Sequence, residues 1–286
     1  MSVPSGDNFR VRTLSERIVA ALPSGGRFGA LRQRLKPLFA KWLAPGGGGL
    51  QSVLPAGEVV LVSPEYRHMT WNRDEYNTFR GAVRTGDVVL EAGANVGAYT
   101  LLFAQWAGAS GRVFAFEPDP IAYAGLQKHI ELNGMIDRVT PVAAAVADGK
   151  ATNLRFAIGD SSGVSRLVHP GEGRAANPVK TCDVRAVSID QFCAEYRLQP
   201  QVIKVDVEGA ELAVLRGARS TIAHAGPGLH LFVEMHPHLW TGLGITVDDV
   251  RGECEAQGLV AEAVDGRGKD IWQTEGVCLR LRPRPA

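Results

Sequence analysis

The sequence has few cysteines, and none of them is spaced as a metal or redox motif would require. The four cysteines, Cys182, Cys193, Cys254 and Cys278, form no C-x-x-C pair. This spacing argues against a zinc ribbon or a thioredoxin-like motif and favours reduced thiols. The sequence also lacks the apolar core of a secretory signal and any apolar run that approaches membrane-spanning length. We therefore expect a cytoplasmic protein.

The chain also lacks a large excess of charge of either sign. Its net charge of +1 over 286 residues gives no general case for a nucleic-acid partner. The charge is uneven, however, because residues 1–50 carry eight basic residues against Asp7 and Glu16. Residues 31–43 of this segment place apolar side chains at helical spacing. We expect a basic, partly helical extension over residues 1–50 that caps the domain, contacts a membrane surface or contacts an amphiphilic substrate.

Short β-branched segments alternate with helix-like segments over residues 51–286, where residues 51–85 read as strands and a helix leading into the core. Core strands are predicted at 88–91, 113–117, 139–146, 202–207 and 229–235, with further strands at 154–158, 259–264 and 277–282. Asp119, Ser188 and Thr246 are predicted to cap helices. This alternation predicts a doubly wound, mainly parallel α/β sheet with helices on both faces and an antiparallel C-terminal strand.

The glycine turn in residues 88–97 (VVLEAGANVG) is the most informative motif. A strand that runs into a glycine turn and then a helix is how an open α/β sheet presents a nucleoside. Gly93 permits the tight turn, and Gly97 lets the helix backbone pack close to the ligand and the sheet. A dinucleotide fingerprint requires a middle glycine beside the pyrophosphate, but Ala94 occupies that position. The motif therefore argues against a pyrophosphate ligand.

Two carboxylates accompany this turn. Glu91 precedes it, and a carboxylate there would repel phosphates but attract an amino group or a sulfonium. Glu117 closes the next strand, where it is placed to accept hydrogen bonds from both hydroxyls of a ribose. The expected ligand is a cationic nucleoside without phosphates, and S-adenosylmethionine fits. Asp148 follows the third strand, where it either contacts the adenine amine or forms a plain Asp-Gly turn with Gly149.

Charged residues interrupt a second apolar strand within residues 203–211 (IKVDVEGAE). Lys204 and Asp206 point to the same face, and Asp206 falls at the carboxyl end, where open α/β sheets bind ligands. We interpret Asp206 as a contact for the amino acid part of the cofactor or as the base that deprotonates a substrate hydroxyl. The alternative is a Lys204–Asp206 pair that only caps the turn. For Glu211, complementing the helix dipole is as well supported as any role in the site.

The neighbouring strand ends in residues 232–240 (FVEMHPHLW). Glu234 and His236 share one face beside the end of the strand that carries Asp206. A neutral His236, oriented by Glu234, is a candidate general base. A metal site formed by the three residues is conceivable, and so is a structural or substrate-orienting histidine in the turn that Pro237 enforces. The prediction assigns all three residues to catalysis and no residue to a metal.

Together these segments resemble the FkbM family of S-adenosylmethionine-dependent methyltransferases. The resemblance rests on residues 86–102 (GDVVLEAGANVGAYTLL), 113–120 (VFAFEPDP), 188–192 (SIDQF), 203–218 (IKVDVEGAELAVLRGA) and 232–236 (FVEMH). It covers about residues 72–240. The first motif departs from the commoner aspartate version only in carrying Glu91, which is a conservative change.

The resemblance implies methyl transfer to oxygen, typically to a hydroxyl of a sugar, a glycolipid or a polyketide. By position it implies cofactor contacts from Glu91, Gly93, Asn95, Gly97, Glu117, Ala145, Val146, Asp148 and Asp206. Ala145 to Asp148 would flank the adenine, and Asp206 would lie beside the transferring methyl group. The expected partner is a small-molecule or glycolipid acceptor, and the sequence says nothing about oligomeric state.

Several alternatives stay open at this point. Within the methyltransferases these are N-methylation and a metal-assisted transfer to oxygen. Outside them are a nucleotide-dependent oxidoreductase and a non-catalytic binding module that retains the pocket. Trp71, Tyr76 and Trp240 are candidates to line an acceptor site, although scattered aromatic residues more often belong to the core.

Overall fold

The computed structural model describes residues 9–10, 48–158, 166–167, 180–266, 268 and 270–284. The predicted basic helix of the N-terminal extension lies outside the described residues. The strands, in chain order, are β1 (Phe9–Arg10), β2 (Leu50–Val53), β3 (Val59–Val62), β4 (Thr70–Trp71), β5 (Val88–Ala92), β6 (Arg112–Phe116), β7 (Val139–Val142), β8 (Ala145–Val146), β9 (Asn153–Ile158), β10 (Arg166–Leu167), β11 (Lys180–Val187), β12 (Val202–Val205), β13 (His230–Met235), β14 (Leu259–Ala263) and β15 (Val277–Pro283). The α-helices are α1 (Arg73–Ala82), α2 (Ala98–Ala107), α3 (Pro120–Leu132), α4 (Ile189–Tyr196), α5 (Glu211–Arg216), α6 (Arg219–Ala225), α7 (Pro237–Trp240) and α8 (Val247–Ala256). None of the helices in these ranges is long and apolar enough to cross a membrane.

The central sheet has seven strands in the order β14-β15-β13-β12-β5-β6-β7. The neighbours from β13 to β7 pair in parallel. At the other edge, β15 runs antiparallel to both β13 and β14. This topology confirms the predicted doubly wound, mainly parallel sheet with an antiparallel C-terminal strand.

Helices cover both faces of this sheet, which is why its strands are mostly apolar. Successive side chains of a strand point to opposite faces, so Leu90 and Val89 join two different core clusters. Phe192 of α4 and Leu212 of α5 pack into the Leu90 cluster. Residues of α1, α2 and α3 pack into the Val89 cluster, together with those of the β2–β3 hairpin.

The predicted helix caps are confirmed. Asp119 accepts hydrogen bonds from the backbone amides of Ile121 and Ala122 at the start of α3. Ser188 and Thr246 each form a capping box at the start of α4 and α8. The first amides of a helix have no partner within it, and only a few residue types can accept their hydrogen bonds. Capping residues can therefore be predicted from the sequence alone.

Three element assignments are corrected. The single strand predicted over residues 139–146 is two strands, because the chain turns where the Ala144 amide donates to the carbonyl of Val142. β7 stays in the central sheet, whereas β8 pairs in parallel with β11 in a separate four-stranded sheet. β11 itself was not predicted, although its antiparallel partner β9 was. The helix predicted over residues 210–218 ends at Arg216, and α6 follows it.

Candidate active site

The candidate site lies at the carboxyl ends of four adjacent strands, β6, β5, β12 and β13. The glycine turn follows β5, Glu117 follows β6 and Asp206 follows β12. His236 follows β13 directly. Parallel neighbours end at the same edge of a sheet, so side chains from distant segments meet there, as an open α/β sheet requires.

Gly93 is required by a close approach between two backbones. Its φ is +82°, and a Cβ at this position would lie 1.7 Å from the carbonyl oxygen of Asp206. The amides of Gly93 and Ala94 both donate to the carbonyl of Phe116, at 3.0 and 2.9 Å. The turn is therefore clamped between the ends of β6 and β12, which confirms the tight turn expected at Gly93.

The turn ends at Gly97, the N-cap of α2, whose φ is +92°. A Cβ on Gly97 would lie 2.8 Å from Leu126 of α3, so the close neighbour is a helix rather than the sheet. Asn95 also adopts a left-handed conformation, with φ of +49°, which asparagine tolerates better than most residues. These conformations turn the chain from the strand into the helix.

Glu117 is a buried carboxylate held by backbone amides. Its two oxygens accept hydrogen bonds from the amides of Asn95, at 2.7 Å, and Asp119, at 2.8 Å. Burial raises the pKa of Glu117 to about 7, against the opposing effect of these two amide donors. A carboxylate fixed beside the glycine turn fits the predicted contact with ribose hydroxyls, which stays a prediction.

Glu91 lies deeper than expected. The side chain is 1% exposed and accepts a hydrogen bond from the hydroxyl of Thr100, on α2, at 2.5 Å. Burial raises the pKa of Glu91 to about 7, although the nearby ammonium of Lys204 lowers it. In this structure the Glu91 carboxylate contacts α2, and its direct contact with a cofactor stays a prediction.

The three residues expected near an adenine lie on and after β8. Ala145 and Val146 are buried. Asp148 accepts the backbone amide of Lys150 at 3.1 Å and pairs with its ammonium at 2.9 Å. Burial alone would raise the pKa of Asp148, but these contacts with Lys150 lower it. The structure thus shows the Asp-Gly turn, with Gly149 at a φ of +78°, and the adenine contacts stay predictions.

Asp206, Glu234 and His236 converge, as the sequence predicts. His236 Nε2 lies 3.9 Å from Asp206 Oδ1 and 3.9 Å from Glu234 Oε1. The other carboxylate oxygen of Asp206 pairs with the buried ammonium of Lys204 at 3.1 Å. Burial raises the pKa of Asp206, but Lys204 and His236 outweigh this effect and lower it. Burial and the charge of Asp206 raise the pKa of Glu234 well above its usual range.

Glu211 is the main site residue that sequence reasoning left undecided. Its side chain is fully buried and accepts hydrogen bonds from His236 Nδ1 at 2.8 Å and Trp240 Nε1 at 2.6 Å. The backbone amide of Gly209 donates to it as well, at 2.9 Å. Glu211 therefore orients His236 and does more than complement the dipole of α5.

The environment of His236 corrects one expectation. Burial alone would lower the pKa of His236, but the hydrogen bond and charge of Glu211 and the charges of Glu208 and Asp206 raise it to about 10. At neutral pH the side chain is then an imidazolium, which cannot accept a proton. A raised pKa does not favour the neutral histidine base expected from the sequence, and the catalytic role of His236 stays a prediction. Glu211, not Glu234 as expected, orients the ring.

Several other residues lie around the site that the sequence did not assign to it. Glu208 lies 3.7 Å from His236 Nε2, in a left-handed conformation with φ of +47°. Tyr99 of α2 places its ring 5.5 Å from the ammonium of Lys204. His129 of α3 accepts the amide of Ser63 at Nε2, so its Nδ1 donates to the carbonyl of Val96 at 2.6 Å and anchors the glycine turn.

The three aromatic residues considered for an acceptor site belong to the core instead. Trp71, Tyr76 and Trp240 are each 1% exposed. Their polar atoms are satisfied by protein groups; the indole of Trp71, for example, donates to the carbonyl of Ala98. Rings buried in this way cannot contact an acceptor without repacking.

Comparison with known proteins identifies a family. A family model for the methyltransferase FkbM domain matches residues 91–258. The hexuronic acid methyltransferase AglP of Haloferax volcanii is 29% identical over 155 residues, which cover 52% of this chain and 56% of that protein. The methyltransferase sdnD of Sordaria araneosa is 26% identical over 155 residues, covering 45% of this chain and 59% of that protein. The chain thus matches under two thirds of the length of either relative.

Two solved structures are similar at lower identity. The methyltransferase FkbM from Methylobacillus flagellatus is 17% identical, with a TM-score of 0.45, covering 70% of this chain and 45% of that one. A SAM-dependent O-methyltransferase from Thermotoga maritima is 12% identical, with a TM-score of 0.46, covering 86% and 82%.

The affinity for S-adenosylmethionine is expected to rise as the pH increases from about 6 to 8. The pKa of Glu117 is raised to about 7, so the carboxylate that we predict to accept the ribose hydroxyls forms across this range. Glu117→Gln should bind the cofactor about 10–100-fold more weakly at pH 8, because hydrogen bonds to a charged group contribute roughly 1.5–3 kcal/mol. Calorimetric titration at several pH values measures both effects.

The same shift has the opposite effect on folding. The unfolded chain loses the Glu117 proton near its usual pKa of 4.5, whereas the folded chain keeps it until about 7. The contribution of Glu117 to the free energy of unfolding therefore falls as the pH rises from about 4.5 to about 7. A pH dependence of cofactor binding that persists in Glu117→Gln would contradict the assignment and point to Glu91, whose pKa is also about 7.

Proposed function

The chain belongs to the FkbM methyltransferase family, with S-adenosylmethionine as its cofactor, and we propose that it methylates a hydroxyl of a sugar, a glycolipid or a polyketide-type natural product. The observation that carries this proposal is the cluster of acids at the ends of β12 and β13, beside the glycine turn. Asp206 belongs to both parts, because its backbone carbonyl packs against Gly93 while its carboxylate faces His236 and Lys204. Within this cluster, Asp206 is thus the acid whose backbone packs against the glycine turn.

The residues divide the work between holding the cofactor and holding the acceptor. Bound S-adenosylmethionine supplies an electrophilic methyl group on its sulfonium. Gly93 and Glu117 shape the crevice and hold the ribose. Asp206 accepts the proton of the acceptor hydroxyl through Oδ1, while Lys204 holds Oδ2 and so fixes the orientation of the carboxylate. Because the displacement is in line, this alignment supplies much of the acceleration.

A polyhydroxylated acceptor suits this crevice. Carboxylates accept hydrogen bonds from hydroxyl donors, and Glu208 and Glu234, both part-exposed beside Asp206, offer several acceptor oxygens. The hexuronic acid methyltransferase among the relatives supports a sugar as the first acceptor class to test. Negative charges in the site would stabilise the protonated form of an amine acceptor, and a protonated amine has no lone pair with which to attack the methyl group.

Methyl transfer to an acceptor panel tests the proposal. The full-length protein would be incubated with methyl-labelled S-adenosylmethionine and separate neutral sugars, uronic acids, glycolipids and amino sugars. We expect label on a hydroxylated acceptor in a product that survives mild alkali, as an ether does and a methyl ester does not. Label only on amines, or only in an alkali-labile product, would contradict transfer to a hydroxyl. Asp206→Asn serves as the inactive control.

We also propose a cytoplasmic location, with the basic segment of residues 1–50 acting as a cap or a membrane contact. The segment lies almost entirely outside the described residues, so its support is the sequence pattern alone. Sedimentation of the protein with anionic vesicles at low and high salt tests the membrane alternative, since a polybasic contact weakens with salt.

A further inference from the structure

We propose that Asp206, Glu234 and His236 form a binding site for a divalent cation, with Mn²⁺ as the best match in chemistry. Binding of the cation does not depend on the proposed function. The role we assign to it, which is to hold the acceptor oxygen in line with the methyl group, rests on that function.

The spacing of the three side chains suits a shared ion. One ligand atom from each residue can be chosen so that all of them lie within 4.8 Å of one another, the one such group in the part of the chain that the structure describes. His236 Nε2 is 3.9 Å from an oxygen of Asp206 and 3.9 Å from an oxygen of Glu234. Adjacent ligand atoms about 2.1 Å from an octahedral ion lie about 3.0 Å apart. The two pairs that include His236 would therefore have to close by about 0.9 Å when an ion binds.

His236 is oriented as a metal ligand would be. Its side chain is 7% exposed, and the bond from Nδ1 to fully buried Glu211 fixes the ring. Nε2 consequently points at three carboxylates, of which the nearest, that of Glu208, is 3.7 Å away and beyond hydrogen-bond distance. A histidine that binds a metal through one ring nitrogen commonly donates the N–H of the other nitrogen to a carboxylate, which fixes the ring. The packing of α7 alone does not explain why Nε2 of His236 faces three carboxylates.

The charge and orientation of the acids favour a cation as well. Lys204 engages one oxygen of Asp206 at 3.1 Å, which leaves Oδ1 directed at His236. Glu208 and Glu234 bring two further carboxyl groups to the same side of the imidazole. When a divalent cation binds, it would replace the proton on Nε2 of His236.

The donor set indicates the class of ion. Carboxylate oxygens suit Mg²⁺, Ca²⁺ and Mn²⁺, whereas imidazole suits later transition metals, and Mn²⁺ accepts both types. Three protein ligands leave coordination positions open to an acceptor oxygen, whose proton becomes easier to remove when a cation binds it. In that state Oδ1 of Asp206 is a ligand, so the neighbouring carboxylate of Glu208 would take the proton that Asp206 accepts in the cation-free site.

Binding of Mn²⁺ itself is the test, with neither cofactor nor acceptor present. The full-length protein, stripped with EDTA and dialysed, would be titrated with Mn²⁺ while electron paramagnetic resonance follows the free ion. We expect one tight site per chain, and affinity at least tenfold weaker in Glu234→Gln and in His236→Gln. His238→Gln is the matched control, because His238 is exposed, lies two residues away and pairs with Glu275. It should bind Mn²⁺ as the wild type does.

Glu211→Gln tests the positioning role and should weaken Mn²⁺ binding about 10–100-fold while the folded state, judged by its melting temperature, persists. If Glu211→Gln does not fold, the Mn²⁺ affinity of Glu234→Gln, a substitution at a half-buried position, tests the site instead. Wild-type protein that binds Mn²⁺ no better than His236→Gln would overturn the proposal.

The outcomes separate this proposal from the proposed function. Methyl transfer that continues unchanged in EDTA, together with no Mn²⁺ binding, overturns the cation site and leaves the methyl transfer standing. Tight Mn²⁺ binding that the His236→Gln change abolishes upholds the site even if no hydroxylated acceptor is methylated.

Discussion

Replacing Asp206 with asparagine is expected to lower kcat about a thousandfold, in the middle of the range for loss of a general base. The substitution keeps the shape of the side chain but removes the charge that accepts the proton of the acceptor hydroxyl. Turnover at saturating S-adenosylmethionine measures the effect. The affinity for the cofactor, measured by calorimetry, should change far less than kcat, because Glu117 and the glycine turn are untouched.

The same variant is expected to lose stability, which allows the catalytic and structural roles of Asp206 to be separated. Lys204 is 4% exposed and pairs with Asp206, and a buried charge left without its partner costs several kcal/mol. We expect a loss of about 2 kcal/mol, less than for a fully buried pair, because Asp206 is partly exposed and other acids remain near Lys204.

The double variant Lys204→Met with Asp206→Asn is the control. It removes both charges, so it should recover most of the free energy of unfolding but none of the turnover. Recovery of turnover in the double variant would show that the pair only caps the turn after β12, as the alternative interpretation of the sequence holds. Urea denaturation and the methyl-transfer assay measure the two properties on the same preparations.

Gly93→Ala is expected to abolish cofactor binding and to lower the melting temperature by about 10 °C or more. The added Cβ would lie 1.7 Å from the carbonyl oxygen of Asp206, and a backbone atom cannot swing aside as a side chain does. To accommodate the Cβ, the ends of β5 and β12 would have to move apart. We expect the free energy of unfolding to fall by roughly 4 kcal/mol, from overpacking and from the strain of a left-handed alanine together. For a domain of this size 1 kcal/mol corresponds to about 2–4 °C.

Gly57→Ala is the matched control for the backbone strain. Gly57 also has a positive φ, of +96°, but a Cβ there would meet nothing within 4 Å. It should cost only the strain of about 1–2 kcal/mol and leave the affinity for S-adenosylmethionine unchanged. Equal losses in the two variants would show that the contact with Asp206 does not matter.

Much of the central sheet could be predicted because its signals are local. The β-branched residues of β5 and β12 leave both faces of these strands mostly apolar, with one charged residue in each. Capping residues such as Asp119 and Ser188 satisfy the first amides of the helix beside them. The errors lie where the chain leaves the central sheet. Whether residues 139–146 make one strand or two depends on β11, some forty residues later, with which β8 pairs.

The candidate site was predicted only in part, for a related reason. Asp206, Glu234 and His236 could be grouped, because strand alternation and the ends of neighbouring parallel strands place them together. Glu211 gave no comparable signal, since an acid in the first turn of a helix has a sufficient local explanation. Glu208 and Tyr99 are likewise recognisable only from the contacts they make in the folded chain.

By itself, the sequence determined the order of strands and helices, the glycine turn, the acids that follow β6 and β12, and from them the family and the cofactor. These features depend on neighbours a few residues away, where periodicity, turn geometry and capping act. Tertiary structure alone decided that Glu91 is buried against Thr100, that Glu211 holds His236, and that nearby carboxylates raise the pKa of His236. Each of these depends on burial and on charges contributed by separate segments, and both arise only when the strands are assembled side by side.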